Sequence, residues 1–294
     1  MDKKVGNIVC VVLVLIVSAQ GLFARELTDA LNRSVLLPDQ PRRIICLSPS
    51  LAETVFALGL HEAVVGVTDF TEYPPGVPAK PSVGELVSPA MEKIVSLQPD
   101  LILAAKGLNR PDIIDQLEHL GIPIFVVNPQ SLNEVLETIQ QVGDIFNRSS
   151  EARALVNQLM ERRRAVSRRV GELPRPRVFV VVWHTPVITA GGKAFLTDVI
   201  SAAGGESVTA DIPQTWPQIS LEEVLRRAPD VLLLVRGPHG GMTLEELKAR
   251  QGWNRLEAVI RNRVVYMDQN MEHPSPLVFD ALEELARKLH PEAF

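Results

Sequence analysis

The sequence is poor in cysteine and has no excess of basic residues. Cys10 and Cys46 are the only two cysteines among 294 residues, too few for a disulfide scaffold, and no Cys/His cluster has the spacing of a structural zinc site. Lysine and arginine number 30 against 35 aspartate and glutamate residues, which leaves a net charge of −5. Nucleic acid is therefore not expected as a partner, because its binders need positive charge to offset the phosphates.

Motifs for nucleotide binding and for nucleophilic catalysis are also missing. No phosphate-binding glycine loop follows an apolar run, since Gly191-Gly192-Lys193 has neither the length nor the order of such a loop. The Gly-x-Ser-x-Gly elbow of a hydrolase does not occur. The sequence therefore gives no support to an enzyme of these classes and predicts no catalytic cofactor.

Only one long hydrophobic run occurs, and it is too short to cross a bilayer. It extends over the ten residues from Ile8 to Val17, behind a charged start and ahead of the small residues Gly21 and Ala24, whereas a transmembrane helix needs ~20 apolar residues. This order is typical of a secretory signal peptide. We predict that residues 1–24 direct export to the periplasm and are then removed. Retention of the segment as a membrane anchor is the alternative.

The rest of the chain alternates short β-branched runs with helical patterns, which predicts an α/β fold with small parallel sheets. The apolar runs form two sets, at residues 43–47, 64–68, 101–104 and 124–127 and at residues 178–183, 231–235 and 264–267. Between the sets, residues 149–173 have the spacing of one helix, about 35 Å long at ~1.5 Å per residue. We therefore predict two Rossmann-like lobes, residues 41–148 and 174–294, joined by a single long backbone helix.

A repeat with an offset of 130 residues relates the two lobes. Residues 92–103 match residues 222–233 in an acidic start, an apolar pair, a Pro-Asp step and the strand that follows. The repeat places Glu92 and Glu222 in the first turn of equivalent helices. These carboxylates either complement the helix dipole or form a matched pair that docks a partner.

A serine precedes each copy of the repeat, Ser88 in the first and Ser220 in the second. Both fit the N-cap of a helix, because a serine hydroxyl accepts from a backbone N–H of the first turn. In the second copy Glu223 adds the acidic residue of a Ser-x-x-Glu capping box. The pattern therefore predicts two capped helix starts.

A combination of short motifs is similar to one family of transport proteins. The motifs are Ser48-Pro49-Ser50 with Glu53, Val65 to Phe70 with Tyr73-Pro74-Pro75, Glu92 to Leu103, and Trp216 to Glu222. Together they resemble the helical-backbone (class III) periplasmic substrate-binding proteins of ABC importers for vitamin B12, ferric siderophores and haem, most strongly the vitamin B12 binders. The resemblance covers about residues 42 to 290. It implies a ligand cleft between two lobes and a glutamate on each lobe, here Glu92 and Glu222, that meets the membrane permease.

The loops that follow the predicted strands are the expected binding surface, because ligands of open parallel sheets bind beyond the carboxyl ends of the strands. They carry Ser48, Asp69, Phe70, Tyr73, Lys106, Gly107, Asn109, Trp183, His184, Arg236, His239 and His273, with Glu85 and Trp216 in irregular stretches nearby. The resemblance implies that the rings of Phe70 and Trp216 grip a corrin. It also implies that Gly107 and Asn109 lie in the cleft.

Three positions depart from the pattern of the vitamin B12 binders. Leu86 and Ala105 stand where those proteins carry tryptophans, and His273 stands where they carry an arginine. Aromatic residues are scarce in the whole chain, with three tryptophans, two tyrosines and nine phenylalanines. The resemblance still implies a corrinoid as the first expected ligand, with a ferric siderophore or haem next.

Three histidines, His184, His239 and His273, each follow a strand of the second lobe. Imidazole is the commonest metal ligand, and Asp69 or Glu85 could complete a metal site from the first lobe. One alternative is therefore a protein that binds a free metal ion. Another is a secreted metal-dependent hydrolase, which also needs a general base and an open coordination position that the sequence does not identify.

The residues and the resemblance together predict a binding protein without catalysis. It would act outside the cytoplasm as the monomeric substrate-binding component of an ABC importer. Its ligand would be held between the two lobes and delivered to the permease and its ATPase.

Overall fold

The computed structural model describes residues 25–69, 71–236 and 242–294. The predicted signal peptide, Phe70 and His239 lie outside these ranges, as does Cys10. Within them, no helix combines the length and the apolar character that a membrane span requires.

The first lobe contains a four-stranded parallel sheet in the order β4-β3-β5-β6. Its strands are β3 (Ile44–Cys46), β4 (Val64–Val67), β5 (Leu101–Ala105) and β6 (Ile124–Val127). The helices are α1 (Pro49–Ala57), α2 (Met91–Ser96), α3 (Pro111–His119) and α4 (Leu132–Ile145). An antiparallel hairpin of β1 (Arg25–Thr28) and β2 (Ser34–Leu37) precedes this sheet. The sequence pattern had not predicted this hairpin, which starts before the expected boundary of the lobe.

The second lobe contains a parallel sheet in the order β10-β7-β11-β12. Its strands are β7 (Arg177–Val181), β10 (Glu206–Ser207), β11 (Val231–Arg236) and β12 (Val264–Asp268), with a separate hairpin of β8 (Trp183–His184) and β9 (Val187–Ile188). The helices are α6 (Phe195–Ala202), α7 (Leu221–Arg227), α8 (Leu244–Ala249), α9 (Glu257–Ile260) and α10 (Val278–Leu289). Short 3₁₀ turns occur in both lobes. They cover His61–Ala63 and Val77–Ala79 in the first lobe and Trp253–Arg255, Gln269–Glu272 and Pro291–Ala293 in the second.

One long helix, α5 (Ser149–Val170), connects the two lobes. Its 22 residues span about 33 Å at ~1.5 Å per residue. It packs against α4 of the first lobe and α10 of the second, and Arg162 forms ion pairs with Asp280 and Glu283 on α10. The predicted fold class, two α/β lobes joined by a single backbone helix, is confirmed.

The hydrophobic core continues from one lobe into the other. A single cluster of buried side chains includes Ile44 of the first sheet, Leu159 and Val166 of the connecting helix, and Val180 and Phe279 of the second lobe. Burial of this kind stabilises by about 25 cal/mol for each Å² of apolar surface removed from water. The lobes are therefore held by apolar contact as well as by the covalent connection.

Cys46 lies in this core at the end of β3. Burial raises the pKa of its thiol to about 12, so the reactive thiolate is suppressed. Cys46 is therefore a structural thiol of the core.

The repeat seen in the sequence is also present in the backbone. Gln98 and Ala228, which are equivalent at the offset of 130, have positive φ angles of 47° and 44°. Each ends the helix before a central strand, and few residues other than glycine adopt this conformation. The equivalence therefore extends to an uncommon backbone geometry that composition alone would not produce.

The Pro-Asp step of each copy fixes the neighbouring strand in the same way. The carboxylate of Asp100 accepts from the backbone N–H groups of Arg42 and Arg43 at 2.7 and 2.9 Å. The carboxylate of Asp230 accepts from the N–H of Arg177 at 2.8 Å. Each aspartate thus aligns the start of one strand with the start of the next, which explains why Pro-Asp recurs in the sequence.

The two helix starts differ from the prediction. Ser220 is the N-cap of α7 and accepts from the N–H of Glu223 at 3.2 Å, but the N-cap of α2 is Ala90, without a side-chain bond, rather than Ser88. The carboxylate of Glu223 pairs with Arg226 and Arg227 instead of completing a capping box. These two parts of the prediction were wrong because Ser88 lies two residues before the observed N-cap and nearby guanidinium groups bind Glu223.

This difference gives a matched pair of variants. Ser220→Ala is expected to lower the free energy of unfolding by about 1 kcal/mol, because it removes an N-cap. Ser88→Ala is expected to change it by less than ~0.5 kcal/mol, as for other exposed positions. Urea denaturation followed by circular dichroism measures both, and equal losses would contradict the assignment of the caps.

Candidate functional site

A buried carboxylate joins the two lobes at the carboxyl edges of their sheets. Glu53 lies on α1, directly after β3, and its side chain is only 2% exposed. It contacts Nδ1 of His273 at 2.7 Å and accepts from the hydroxyl of Ser275, which is fully buried. Both partners follow β12 of the second lobe. The segments that follow β3 and β12 therefore meet across the gap between the lobes.

A second contact joins the same edges. The backbone N–H of Leu132, in the first turn of α4 after β6, donates to the carboxylate of Asp198 at 2.7 Å. Asp198 lies on α6 of the second lobe. Since both contacts connect segments that follow strands, the carboxyl edges of the two sheets face each other. This is the arrangement in which α/β proteins place ligands.

The position of His273 changes the role expected for it. Its side chain is 20% exposed and its Nδ1 is held by Glu53, so it forms part of the contact between the lobes. Burial alone would lower the pKa of His273, but the hydrogen bond and the charge of Glu53 outweigh it, and the pKa is raised. Glu53 therefore favours the protonated form of His273, whose side chain forms part of the interlobe contact and keeps a partly exposed edge.

Ser48 belongs to the framework of the site. It is fully buried, caps α1 by accepting from the N–H of Leu51 at 3.4 Å, and lies 3.1 Å from the hydroxyl of Ser50. These bonds engage its side chain inside the lobe. We therefore assign Ser48 to the support of the loop after β3 rather than to direct ligand contact.

Asn109 has a similar role beside β5. Its Oδ1 accepts from the N–H of Ala105 at 2.8 Å, and its Nδ2 donates to the carbonyls of Leu47 and Leu86 at 2.9 and 3.1 Å. The buried amide thus ties three segments at the cleft edge together. Gly107, between Ala105 and Asn109, has a φ of 84°, a conformation that glycine adopts without strain.

Several predicted residues of the first lobe do present side chains at the surface. The ring of Tyr73 is 50% exposed, and Glu85 and Lys106 are exposed. Asp69 is partly buried and accepts from the hydroxyl of Ser82. The first lobe thus offers one ring and charges of both signs around the gap.

The second lobe contributes aromatic surface. Trp183 on β8 is 53% exposed and Trp216 is 49% exposed. Ile188 on β9 pairs with Trp183 and also with Gln218, so the segment of Trp216 runs beside the β8–β9 hairpin. His184 is partly buried and stacks on the Trp183 ring. Of Arg236, the backbone is placed at the end of β11 beside Asp268.

A three-histidine metal site is not assembled among the described residues. No group of three or more His, Cys, Asp or Glu side chains within residues 25–69, 71–236 and 242–294 has a metal-binding arrangement. His239 lies outside these ranges, so its contribution stays a prediction. Of the two ring nitrogens of each histidine, Nδ1 of His184 is engaged by Arg250 and Thr185, and Nδ1 of His273 is engaged by Glu53.

Glu92 and Glu222 occupy equivalent places on the two lobes. Each lies in the first turn of the helix that precedes a central strand, α2 before β5 and α7 before β11, and each is exposed. A helix that leads into a parallel strand starts at the carboxyl edge of the sheet. Both glutamates therefore lie on the rims of the facing edges.

The match to a protein family covers most of this architecture. Residues 44–271 match the family model described as periplasmic binding protein. The chain belongs to this family. It is accordingly a binding protein rather than an enzyme, and the hydrolase alternative is set aside.

Relatives and solved structures agree with this assignment. An ABC transporter substrate-binding lipoprotein of Bacillus subtilis, YvrC, is 30% identical over 282 residues, which is 93% of this chain and 88% of the relative. The periplasmic vitamin B12 binding protein BtuF of Vibrio cholerae is 26% identical, with a TM-score of 0.75 over 87% of this chain and 99% of that one. The haem-binding protein RhuT from Roseiflexus sp. RS-1 is 25% identical, with a TM-score of 0.76 over 86% and 99%.

Two parts of the site were missed at the level of sequence. Glu53 was noted only as part of a motif, and its partner Ser275 follows 222 positions later. Arg250 lies at the end of α8 and belongs to no recognisable motif. It contacts His184, which lies 66 positions earlier in the sequence. An acidic residue on the buried face of a helix was the one available signal, since a carboxylate there needs a partner.

Proposed function

We propose that this protein is the extracytoplasmic substrate-binding component of an ABC importer, which holds a metal chelate between its lobes and delivers it to a permease. The observation that carries this proposal is the pair of contacts, Glu53 with His273 and Leu132 with Asp198, through which the carboxyl edges of both sheets face each other. Membership of the periplasmic binding protein family supports the same role.

The proposed ligand is a flat macrocycle, a corrinoid first and haem or a ferric siderophore next. Three half-exposed rings, those of Tyr73, Trp183 and Trp216, lie in segments that follow strands of the two sheets, and exposed aromatic surface often marks a ligand site. The similar proteins from Vibrio cholerae and Roseiflexus, which bind vitamin B12 and haem, support a macrocycle.

Delivery is proposed to depend on Glu92 and Glu222. Each exposed carboxylate could meet a cationic group of the permease, one from each lobe, so that the loaded protein straddles the transport path. Charge pairs of this kind steer association and weaken as salt is raised. The equivalent positions of the two acids in the repeat support this pairing.

A calorimetric panel tests the ligand. The purified chain is titrated with cyanocobalamin, haemin, a ferric hydroxamate siderophore and zinc chloride. We expect one chelate to bind with a single site and zinc to bind weakly or not at all, because the described residues form no metal-binding cluster. Tight binding of zinc would favour the free-metal alternative instead, and binding of none of the four would contradict the proposed function.

A further inference from the structure

The ring of His184 is held in one orientation by its neighbours. Arg250 follows α8, and its Nη1 lies 3.2 Å from Nδ1 of His184 while its Nη2 donates to the hydroxyl of Thr185 at 2.8 Å. A guanidinium has only donors. The Nδ1 atom must therefore accept, and the proton of the neutral imidazole lies on Nε2.

Thr185 reinforces this tautomer. Its Oγ1 lies 2.9 Å from Nδ1 of His184, and because it already accepts from Arg250, its own hydrogen can be donated to Nδ1. A ring with a proton on Nδ1 would instead direct an N–H at the guanidinium. Both neighbours thus favour a ring whose Nε2–H is free to donate, and the described residues give that atom no partner.

The His184 ring, which carries the Nε2–H donor, stacks on the ring of Trp183. The two rings are 5.4 Å apart between centroids and 6° from parallel. The indole N–H is used by the carbonyl of Thr185 at 3.0 Å, and the carboxylate of nearby Glu246 is used by the capping box of α8. The remaining polar group of the stacked pair is Nε2–H of His184.

We propose that His184 determines specificity by donating a hydrogen bond from Nε2 to an oxygen on the edge of the bound macrocycle, and that Arg250 positions it for this. The inference rests on the proposed function, because it needs a ligand in the cleft. An oxygen acceptor on a flat ring system is an amide carbonyl of a corrin or a propionate of haem. In this arrangement His184 is not a metal ligand, since Nε2 carries a proton.

The tautomer is tested first, without any ligand. Long-range ¹H–¹⁵N correlation spectra of the whole chain are expected to show His184 with the proton on Nε2. Arg250→Met is expected to give a mixture of the two tautomers, and Arg250→Lys, which keeps a donor, to restore the Nε2–H form in part. A wild-type ring with its proton on Nδ1 would overturn the inference.

The contact is tested by the affinities of cyanocobalamin and haemin for three variants. His184→Phe keeps an aromatic stack but removes the donor. It is expected to lower the affinity for whichever chelate the wild type binds by about tenfold, which corresponds to the loss of one hydrogen bond. His184→Gln, which retains an N–H donor, is expected to recover part of that loss. His61→Phe is the matched control, because His61 lies at the opposite edge of the first sheet.

The outcomes separate this inference from the proposed function. Unchanged affinity in His184→Phe would overturn the contact while leaving the transport role intact. If only the siderophore binds, the proposal of a macrocyclic ligand is overturned, while the proposed role as the binding component of an importer is supported. A larger loss for haemin than for cyanocobalamin would identify a carboxylate as the acceptor, and the reverse would identify an amide.

Discussion

Glu53→Ala is expected to lower the free energy of unfolding by about 3 kcal/mol, because removal of one partner leaves the other buried charge uncompensated. The variant removes the buried carboxylate that Nδ1 of His273 and the hydroxyl of Ser275 both contact. Urea denaturation of the whole chain measures the loss. Glu62→Ala is the matched control, since Glu62 is exposed and its ion pair within the described part of the chain is with the exposed His61, and it should cost less than ~0.5 kcal/mol.

The same contact is expected to depend on pH. The folded protein holds the pKa of His273 above its ordinary value through Glu53, with further contributions from Glu272 and Asp268. A raised pKa in the folded state adds stability that is complete below the unfolded pKa of ~6.5 and is lost as the pH rises through the folded pKa. The stability difference between wild type and His273→Gln should therefore be larger at pH 6 than at pH 9.

A difference that stays constant from pH 6 to pH 9 would contradict a charged His273. An equal loss of stability in Glu53→Ala and Glu62→Ala would contradict the importance of the interlobe contact itself. Glu53→Gln, which keeps the shape of the side chain, separates charge from packing. It should be less destabilised than Glu53→Ala but should lose the same pH dependence.

Reversal of both rim acids, Glu92→Arg with Glu222→Arg, is expected to abolish uptake while the affinity for the chelate stays within about twofold. Both side chains are exposed, and the described residues give neither an ion pair, so folding should tolerate the change. New positive charges would repel cationic groups of the permease, and repulsion of like charges across an interface costs several kcal/mol. Uptake of the labelled chelate by vesicles that contain the permease and ATPase measures the effect.

The control is a second double reversal, Glu137→Arg with Glu172→Arg. Both residues are exposed and lie away from the first turns of α2 and α7, and the change in net charge is the same. Full uptake in the rim variant, or equal loss in both double variants, would contradict a specific docking role. A loss that grows smaller at high salt only in the rim variant would support it.

Much of the fold could be predicted because its signals are local. Runs such as Leu101–Ala105 are buried on both faces of a parallel sheet, which is why they are continuously apolar. The helix Ser149–Val170 was visible from its periodicity, and the Pro-Asp repeat was visible because each aspartate performs the same backbone function. These patterns need only neighbouring residues to be recognised.

The site was less predictable because its contacts connect distant parts of the chain. The loops that carry Asn109 and His273 were predicted to line the cleft, but sequence could not show that Asn109 is buried beneath the surface. Nor could it show that His273 has a carboxylate partner 220 positions away. Whether a polar residue on a loop faces ligand or protein depends on tertiary packing.

The apolar cluster that runs from Ile44 through the connecting helix to Phe279 limits how a transporter can recognise the ligand-bound form of this protein. Wide separation of the two lobes would expose those side chains to water. The ligand-free and ligand-bound proteins should therefore have nearly the same arrangement of lobes. We therefore expect the receiving membrane complex to sense the cargo itself at the mouth of the gap, rather than a large change of shape in its carrier.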